Sequence, residues 1–244
     1  MYWSWFRIAA ALTAFSGIVA GFIVNVDRAA RQGQGLGDVL ANYFSLFTIV
    51  STLLGIVSLL VAASWGMRHP GTGREPLGIA LALAAVTGPV LLLGLVYNAL
   101  LRGLPAPVAL GDPVGIAMLD TYAAEVLHVV LPIYFVLDLL LAPRRRALPW
   151  WSLAVLVGYP LGWTTYTMVR GERVGNPDGT TAWWYPYPFL DPHGEGGYSS
   201  ALIYIVAILA GFLAIGVAII VIGRFRDRRA SRHGAPAARG ALPI

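Results

Sequence analysis

A hydroxyl group and an imidazole ring lie in two long apolar segments of this chain. Thr48 is part of the uncharged run 39–65, and His128 stands in Leu127-His128-Val129-Val130-Leu131-Pro132. In nucleophilic acyl transfer an imidazole takes the proton of the attacking hydroxyl and later returns it to the leaving group. The two residue types are therefore the minimum set for this chemistry.

Each of the two residues also belongs to a polar stripe that would follow one face of a helix. The stripes are Asn42, Ser45, Thr48 and Ser51 or Thr52, and Thr121, Glu125, His128 and Pro132. Small hydroxyl residues often pack helices closely or bond back to their own carbonyls, so the first stripe also has a structural explanation. An ionisable group inside a span is costly and marks a functional candidate, although His128 could also be hydrogen-bonded between helices.

The segments that carry these residues are typical of a membrane protein. The 244 residues are 57% hydrophobic and 12% charged, which is about half the charged share of a soluble domain. A spanning helix needs about 20 mostly apolar residues. Six segments meet this requirement, namely 8–26, 39–65, 77–101, 114–141, 148–169 and 197–223. We therefore predict an all-α, polytopic transmembrane bundle of six helices that forms one domain, residues 1–223.

The arginines predict how this bundle is oriented. All 17 basic residues are Arg, and with a cytoplasmic N-terminus 12 of them fall on the cytoplasmic side and five outside. Both termini are thus expected in the cytoplasm, in a multi-pass protein of the cell membrane. Residues 224–244 are predicted to be a disordered, Arg-rich tail that is attracted to anionic lipid. Because topology explains the arginines, membrane lipids are the expected partners and nucleic acid is not.

In this topology the second and fourth helices run in the same direction. Thr48 lies nine residues after Val39 and His128 nine residues after Leu119, so each is about 13 Å along its helix. Both are expected in the outer half of the bilayer. Asp138 lies near the inner end, just before three arginines at 144–146, and is expected to anchor that end.

The longest predicted loop, 170–196, is rich in aromatic residues and proline. It contains Trp183, Trp184 and the run Tyr185-Pro186-Tyr187-Pro188-Phe189. Proline at this density prevents a spanning helix. The loop is interpreted either as a lid over the outer end of the bundle or as a segment that rests on lipid headgroups.

Three segments together resemble a known family. The run Asn42-Tyr43-Phe44-Ser45-Leu46-Phe47-Thr48-Ile49-Val50-Ser51, the segment 127–132 with Asp138, and Tyr-Pro-Tyr-Pro-Phe-Leu-Asp at 185–191 resemble the bacterial Pr6Pr family of six-helix membrane proteins. That family is in turn similar to the androgen-induced transmembrane hydrolases, which cleave fatty acid esters of hydroxy fatty acids with an intramembrane Thr and His. The resemblance implies that Thr48 is the nucleophile and His128 the base. Relatives often carry an amide side chain just after the Thr, where this chain has Ser51-Thr52.

Supporting roles are expected for a few other polar residues. Glu125, one turn before His128, could orient the imidazole. Donors for the oxyanion could come from Asn42, Asn98, Trp163 and Tyr204, which all fall on the outer sides of their helices. No metal and no cofactor is expected, because His69, His193 and His233 lie outside the spans.

The sequence thus predicts an intramembrane hydrolase that acts on a lipid ester through a Thr48–His128 dyad. Two alternatives remain open. One is a non-enzymatic membrane sensor or scaffold in which the polar stripes only hold helices together. The other is a small proton-coupled transporter with Glu125 and His128 as relay groups.

Overall fold

The computed structural model describes residues 2–71, 73–103 and 111–233, and the regular elements in these ranges are all helical. The all-α prediction is confirmed for this part of the chain. The α-helices are α1 Tyr2–Arg31, α2 Leu36–Tyr43, α3 Phe47–Arg68, α4 Leu77–Val96, α5 Val114–Glu125, α6 Leu131–Leu141, α7 Ser152–Gly171 and α8 Gly197–His233. Two π-helical turns follow α4 and α5, at Tyr97–Leu101 and Val126–Val130, and a 3₁₀ turn spans Pro188–Leu190.

Five helical segments of the described chain are long and apolar enough to cross a membrane. They are Tyr2–Arg31, Phe47–Arg68, Leu77–Ala99, Val114–Leu141 and Gly197–Arg229. The chain therefore has the features of a multi-pass membrane protein. The fifth predicted span corresponds to α7, a 20-residue helix that is not among the five. Its passage through the membrane and the sides of the two termini stay predictions.

The second predicted span, 39–65, is not one helix. Helix α2 ends at Tyr43 and α3 begins at Phe47, so Thr48 lies in the first turn of α3. The depth that we derived from a continuous helix therefore does not apply. A long-range contact at the break explains why regular helix stops: the indole Nε1 of Trp163 donates to the carbonyl of Ser45 at 3.0 Å.

Helix α8 continues to His233, although residues from 224 onward were predicted to be disordered. The physical reason is that two arginines of this segment bond to carbonyls of the connection between α6 and α7. Arg224 Nε donates to the Leu148 carbonyl at 3.1 Å, and Arg226 Nη2 donates to the Ala142 carbonyl at 2.7 Å, directly after α6. Carbonyls at a helix C-terminus lack partners within the helix, and arginine supplies them here. Residues 234–244 of the predicted tail lie outside the described residues.

Helix α4 is central, with α3, α6, α7 and α8 around it, and α1 packs on α3 and α5. The main core cluster lies where α1, α3, α4 and α6 meet. It consists of Ala11, Ala14, Leu59, Ala62, Leu83, Val86, Val90, Leu131 and Phe135. The alanines let the helix backbones approach closely, as is common between membrane helices.

One end of the bundle, here called the charged end, contains a buried ionic network of Trp3, Arg7, Glu75, Asp138 and Arg145. The Asp138 carboxylate is fully buried and accepts from Trp3 Nε1 at 2.7 Å, from Arg7 Nε at 2.8 Å and from Arg145. Arg7 also donates to Glu75, at 3.4 Å. The network ties the start of α1 to the end of α6, so Asp138 is an anchor as expected.

Candidate functional site

The opposite end of the bundle contains a cavity of about 170 Å³ that both Thr48 and His128 line. Helices α3, α4, α7 and α8 form its walls together with the loop that follows α7. The walls are mostly apolar, with Leu92, Val96 and Phe212 among them. Two polar residues that are 80 positions apart in the sequence therefore line one mostly apolar cavity, although no hydrogen bond joins their side chains in the described structure.

Most of the first polar stripe is used to hold α7. The residues of α7 that take part, Tyr159, Trp163, Tyr166 and Arg170, are spaced by three or four and share one helical face. The side-chain pairs are Arg170 Nη2 with Asn42 Oδ1 at 2.7 Å, Tyr166 Oη with Ser45 Oγ at 2.9 Å, and Tyr159 Oη with Ser51 Oγ at 2.9 Å. The structural explanation of the stripe is thus correct for three of its members.

Thr48 differs from these three residues. It is half-buried, and it lines the cavity together with Tyr187, in the loop after α7. Phe47 lines the same cavity, and the backbone N–H groups of Phe47 and Thr48 have no partner within their helix. These N–H groups belong to the first turn of α3, where Leu46 provides no side-chain cap. Among stripe members 42, 45, 48 and 51, Thr48 is thus the one that lines the cavity.

His128 has a defined ring orientation in the cavity. Its ring stacks on Tyr97, with centroids 4.3 Å apart and an interplanar angle of 18°. Its Nδ1 lies 3.1 Å from the carbonyl oxygen of Ala124. Because a carbonyl oxygen can only accept, this contact assigns the proton to Nδ1 and leaves the lone pair on Nε2. The neutral tautomer with a free Nε2 lone pair is the form that a general base needs.

A proline-dependent contact fixes the backbone at His128. Pro132 has no N–H, so the carbonyl of His128, four residues earlier, loses its usual helical donor. Asn98 replaces that donor, since its Nδ2 lies 2.9 Å from the His128 carbonyl oxygen. The close approach of α4 and α6 at this point requires Gly94, because a Cβ there would come within 2.7 Å of Pro132 Cγ. π-Helical turns on both sides of this contact are frequent at functional sites.

The other predicted site residues divide into two groups. Tyr204 and Trp163 line the cavity, but the indole N–H of Trp163 is already bonded to the Ser45 carbonyl. Asn42 binds Arg170 and Asn98 binds the backbone of His128, so neither amide faces the cavity.

Glu125 has a different partner from the one that we expected. It forms an ion pair with Arg102, and Ala124 provides the contact to His128 Nδ1. A regular helix would place residues 125 and 128 on one face, but the π-helical turn at Val126–Val130 changes that register. The described residues contain no cluster of three or more His, Asp or Glu side chains that could hold a metal.

Sequence reasoning missed two features of the site. The face of α7 was visible in the spacing of residues 159, 163, 166 and 170, but of these four only Trp163 was considered. Tyr187 had no comparable signal, because no periodicity in the loop relates it to Thr48. Only the folded structure brings Tyr187 into the wall of the cavity that Thr48 lines.

Fold and cavity together describe a helical, multi-pass membrane protein in which a threonine and a histidine line one mostly apolar cavity. The chain matches no known protein-family model, no curated protein and no solved structure. The resemblance to the Pr6Pr family and to the threonine hydrolases therefore stays a prediction, and the function has to be argued from the site.

Proposed function

We propose that this chain is an intramembrane hydrolase of a lipid ester, with Thr48 as the nucleophile and His128 as the general base. One observation carries the proposal: Thr48 and His128 line the same apolar cavity, although they come from different helices. Thr48 is also the member of its stripe that is left for the cavity when α7 binds the others.

The proposed reaction has two halves. The Thr48 Oγ attacks the carbonyl carbon of the ester while His128 Nε2 takes its proton. The tetrahedral intermediate then expels the alcohol, which leaves with the proton from His128, and an acyl-threonine ester remains. A water molecule, deprotonated by His128, attacks this second ester, releases the fatty acid and restores the Thr48 hydroxyl.

The walls of the cavity favour an acyl chain as the substrate. Apart from the residues named above and Thr164, whose hydroxyl donates to the Pro160 carbonyl, they present apolar side chains such as Leu93, Ile205 and Ile208. A cavity of about 150 Å³ holds one benzene molecule, so about 170 Å³ accepts the ester-bearing part of a single chain. A substrate with one chain near its ester group fits this space better than a two-chain phospholipid.

A lipid sensor is the second candidate function. It is favoured by the hydrogen bonding of the pair, because His128 Nδ1 bonds to the Ala124 carbonyl and no described hydrogen bond joins the Thr48 hydroxyl to the imidazole. Proton-coupled transport has less support. Glu125 and His128, the expected relay pair, have separate partners in the structure.

The test is hydrolysis of single-chain fatty acid esters by the purified protein in lipid nanodiscs. We expect turnover by the wild type and none above background for Thr48→Ala. For His128→Ala we expect a loss of about 10²–10⁴-fold, the usual contribution of a general base. Ser51→Ala is the matched control, because its hydroxyl bonds to Tyr159 outside the cavity, and it should remain within about threefold of wild type.

Equal turnover by wild type, Thr48→Ala and His128→Ala would contradict the proposal. Saturable ester binding by the wild type without any turnover would favour the sensor instead.

A further inference from the structure

Two of the helices that line the cavity, α4 and α8, are apolar over their whole membrane-spanning parts. Both belong to the segments that are long and apolar enough to cross a membrane. Neither 77–101 nor 197–223 contains a charged residue. Such helices border either other helices or lipid hydrocarbon. An opening between α4 and α8 would therefore face the acyl chains of the bilayer.

The two helices touch on the side of the cavity that points toward the charged end. A Cβ at Gly211 would lie 3.2 Å from Leu92 Cδ1, and a Cβ at Gly88 would lie 3.9 Å from Ile215 Cγ2. The first distance is tight, so glycine at position 211 permits the close approach of α8 to Leu92. These contacts close the space between α4 and α8 at one end.

Beyond this contact, facing residues of the two helices line the cavity. Position 93 of α4, positions 96 and 97 at its end, and positions 204, 205 and 208 of α8 take part, and each set follows one helical face. At 1.5 Å per residue, the walls from Leu92 to Tyr97 and from Gly211 to Tyr204 are about 8 and 10 Å long. The space between the helices is thus an elongated pocket with apolar walls.

The exposure of the lining residues shows which side of the pocket is covered by protein. Phe47 of α3 and Pro160 of α7 are buried, whereas Tyr204 of α8 is 49% exposed. Leu95 and Val206, next to lining residues of α4 and α8, are 62% and 64% exposed. Lipid hydrocarbon is the neighbour of such side chains in a membrane. The pocket is therefore closed by α3 and α7 and is adjacent to lipid at α4 and α8.

The chemistry of the pocket fits an acyl chain with its polar end at the cavity end of the bundle. An acyl chain that moves from the bilayer into apolar walls leaves no polar group without a partner. Tyr97 and Tyr204 stand at the end away from Leu92, and tyrosine is typical of the membrane interface. Tyr97 also stacks on His128, so the polar end of the lipid would lie beside the imidazole.

We propose that the space between α4 and α8 is an acyl-chain binding site that opens to the bilayer, with the contact between Leu92 and Gly211 as its closed end. Binding of the chain does not require chemistry at Thr48. Only the role of this site as the route by which a lipid ester reaches Thr48 and His128 rests on the proposed function.

The experiment is photo-cross-linking of the full chain in lipid nanodiscs. The probe is a long-chain fatty acid that carries a diazirine near its methyl end, with and without an excess of the unlabelled fatty acid. A defined site is saturable, whereas lipid that only surrounds the bundle is not competed. We expect competed labels on peptides that contain residues 92–97 of α4 and 204–212 of α8, as mapped by mass spectrometry.

The first variant, Ile205→Trp, places a bulky ring in the wall of the site. It should lower competed labelling at least about tenfold, because the loss of two buried methylene groups is enough for this factor. Ile203→Trp is the matched control, since it makes the same change on α8 at a position that is 69% exposed and does not line the cavity. Labelling of this control should stay within about twofold of wild type.

The second variant, Gly211→Val, acts on the closed end from outside the cavity. Its side chain must push Leu92 into the space where the chain would end, so competed labelling should fall by about two- to tenfold. Gly158→Val on α7 is the control, because a Cβ there meets nothing within 4 Å, and it should not lower labelling. The thermal stability of all proteins is measured in parallel, and if Ile205→Trp does not fold, Gly211→Val decides.

Labelling that the unlabelled fatty acid does not compete, or that neither variant lowers, would overturn the inference. Competed labelling that the variants lower, without ester turnover by any protein, would support the acyl-chain site and contradict the hydrolase. Ester turnover by the wild type together with labelling that neither variant changes would contradict the site and leave the hydrolase in place.

Discussion

Polar side chains are buried at both ends of this bundle, but they are used differently. At the charged end, Asp138 accepts from Trp3, Arg7 and Arg145, and these contacts join α1 and α6. At the other end, Thr48 and His128 line a mostly apolar cavity, and the described hydrogen bonds of the His128 ring use only Nδ1. A carboxylate that is surrounded by donors serves stability, whereas a hydroxyl and an imidazole with spare bonding capacity can serve a ligand.

The largest expected effect is the loss of stability when Asp138 is removed. Asp138→Ala leaves Arg7 and Arg145 buried without their common partner, and breaking a buried ion pair in this way costs about 3–5 kcal/mol. Thr48→Ala removes no such partner and should cost less than about 1 kcal/mol. Unfolding in detergent, followed by tryptophan fluorescence, measures both changes.

The control for charge is Asp27→Asn. Asp27 pairs with Arg31 on a partly exposed surface, so its loss should cost at most about 1 kcal/mol. If Asp138→Ala and Thr48→Ala lowered the free energy of unfolding equally, the polar residues of the two ends would contribute equally to stability. That result would contradict the comparison.

A smaller effect is expected at the backbone of His128. Asn98→Ala removes the donor to the His128 carbonyl, which Pro132 has deprived of its helical partner. Because Asn98 is exposed, we expect the cost of an ordinary hydrogen bond, about 0.5–1.5 kcal/mol. Pro132→Ala restores an N–H four residues after His128. Asn98→Ala should therefore cost clearly less in the Pro132→Ala background than in wild type.

The four proteins form a double-mutant cycle, measured by the same unfolding experiment. A coupling energy near zero would mean that Asn98 does not replace the missing helical donor. In that case the cavity end would lack the backbone support that we assign to it.

The smallest effect is a pH dependence of the loop that covers the cavity. The Tyr185 hydroxyl, followed by His193, lowers the pKa of Glu172 below its ordinary value of 4.5. A group whose pKa is lowered in the folded state stabilises that state above its ordinary pKa, and this stabilisation is lost as the pH falls through the lowered value. Contacts at the base of the loop should therefore weaken only below about pH 4.5.

Hydrogen exchange of residues 172–196, corrected for the intrinsic exchange rate, measures this effect. We expect faster exchange in acid and, for Glu172→Gln, faster exchange already at neutral pH. Exchange that is independent of pH in the wild type and unchanged in Glu172→Gln would mean that Glu172 does not fasten the loop.

The sequence predicted features that depend on neighbouring residues, and it did not predict features that depend on contacts between distant parts of the chain. Apolar runs predicted the helices, and the stripe of α3 and the isolated histidine led to two residues of one cavity. The break before Phe47 could not be predicted, because the segment 42–48 has no Gly or Pro and the break depends on Trp163 and Ser45. Glu125 was assigned to His128 by helical spacing, but the register changes at a π-helical turn and Arg102 binds it instead.

The most direct test of the central claim is the site at which a fluorophosphonate reacts with the protein in lipid nanodiscs. The account predicts one covalent adduct on the peptide that contains Thr48, with the phosphonate on Thr48 itself. The rate of its formation should fall by at least about 100-fold in His128→Ala. No adduct at Thr48, or an adduct that forms equally fast without His128, would contradict the claim that these two residues form a reactive pair.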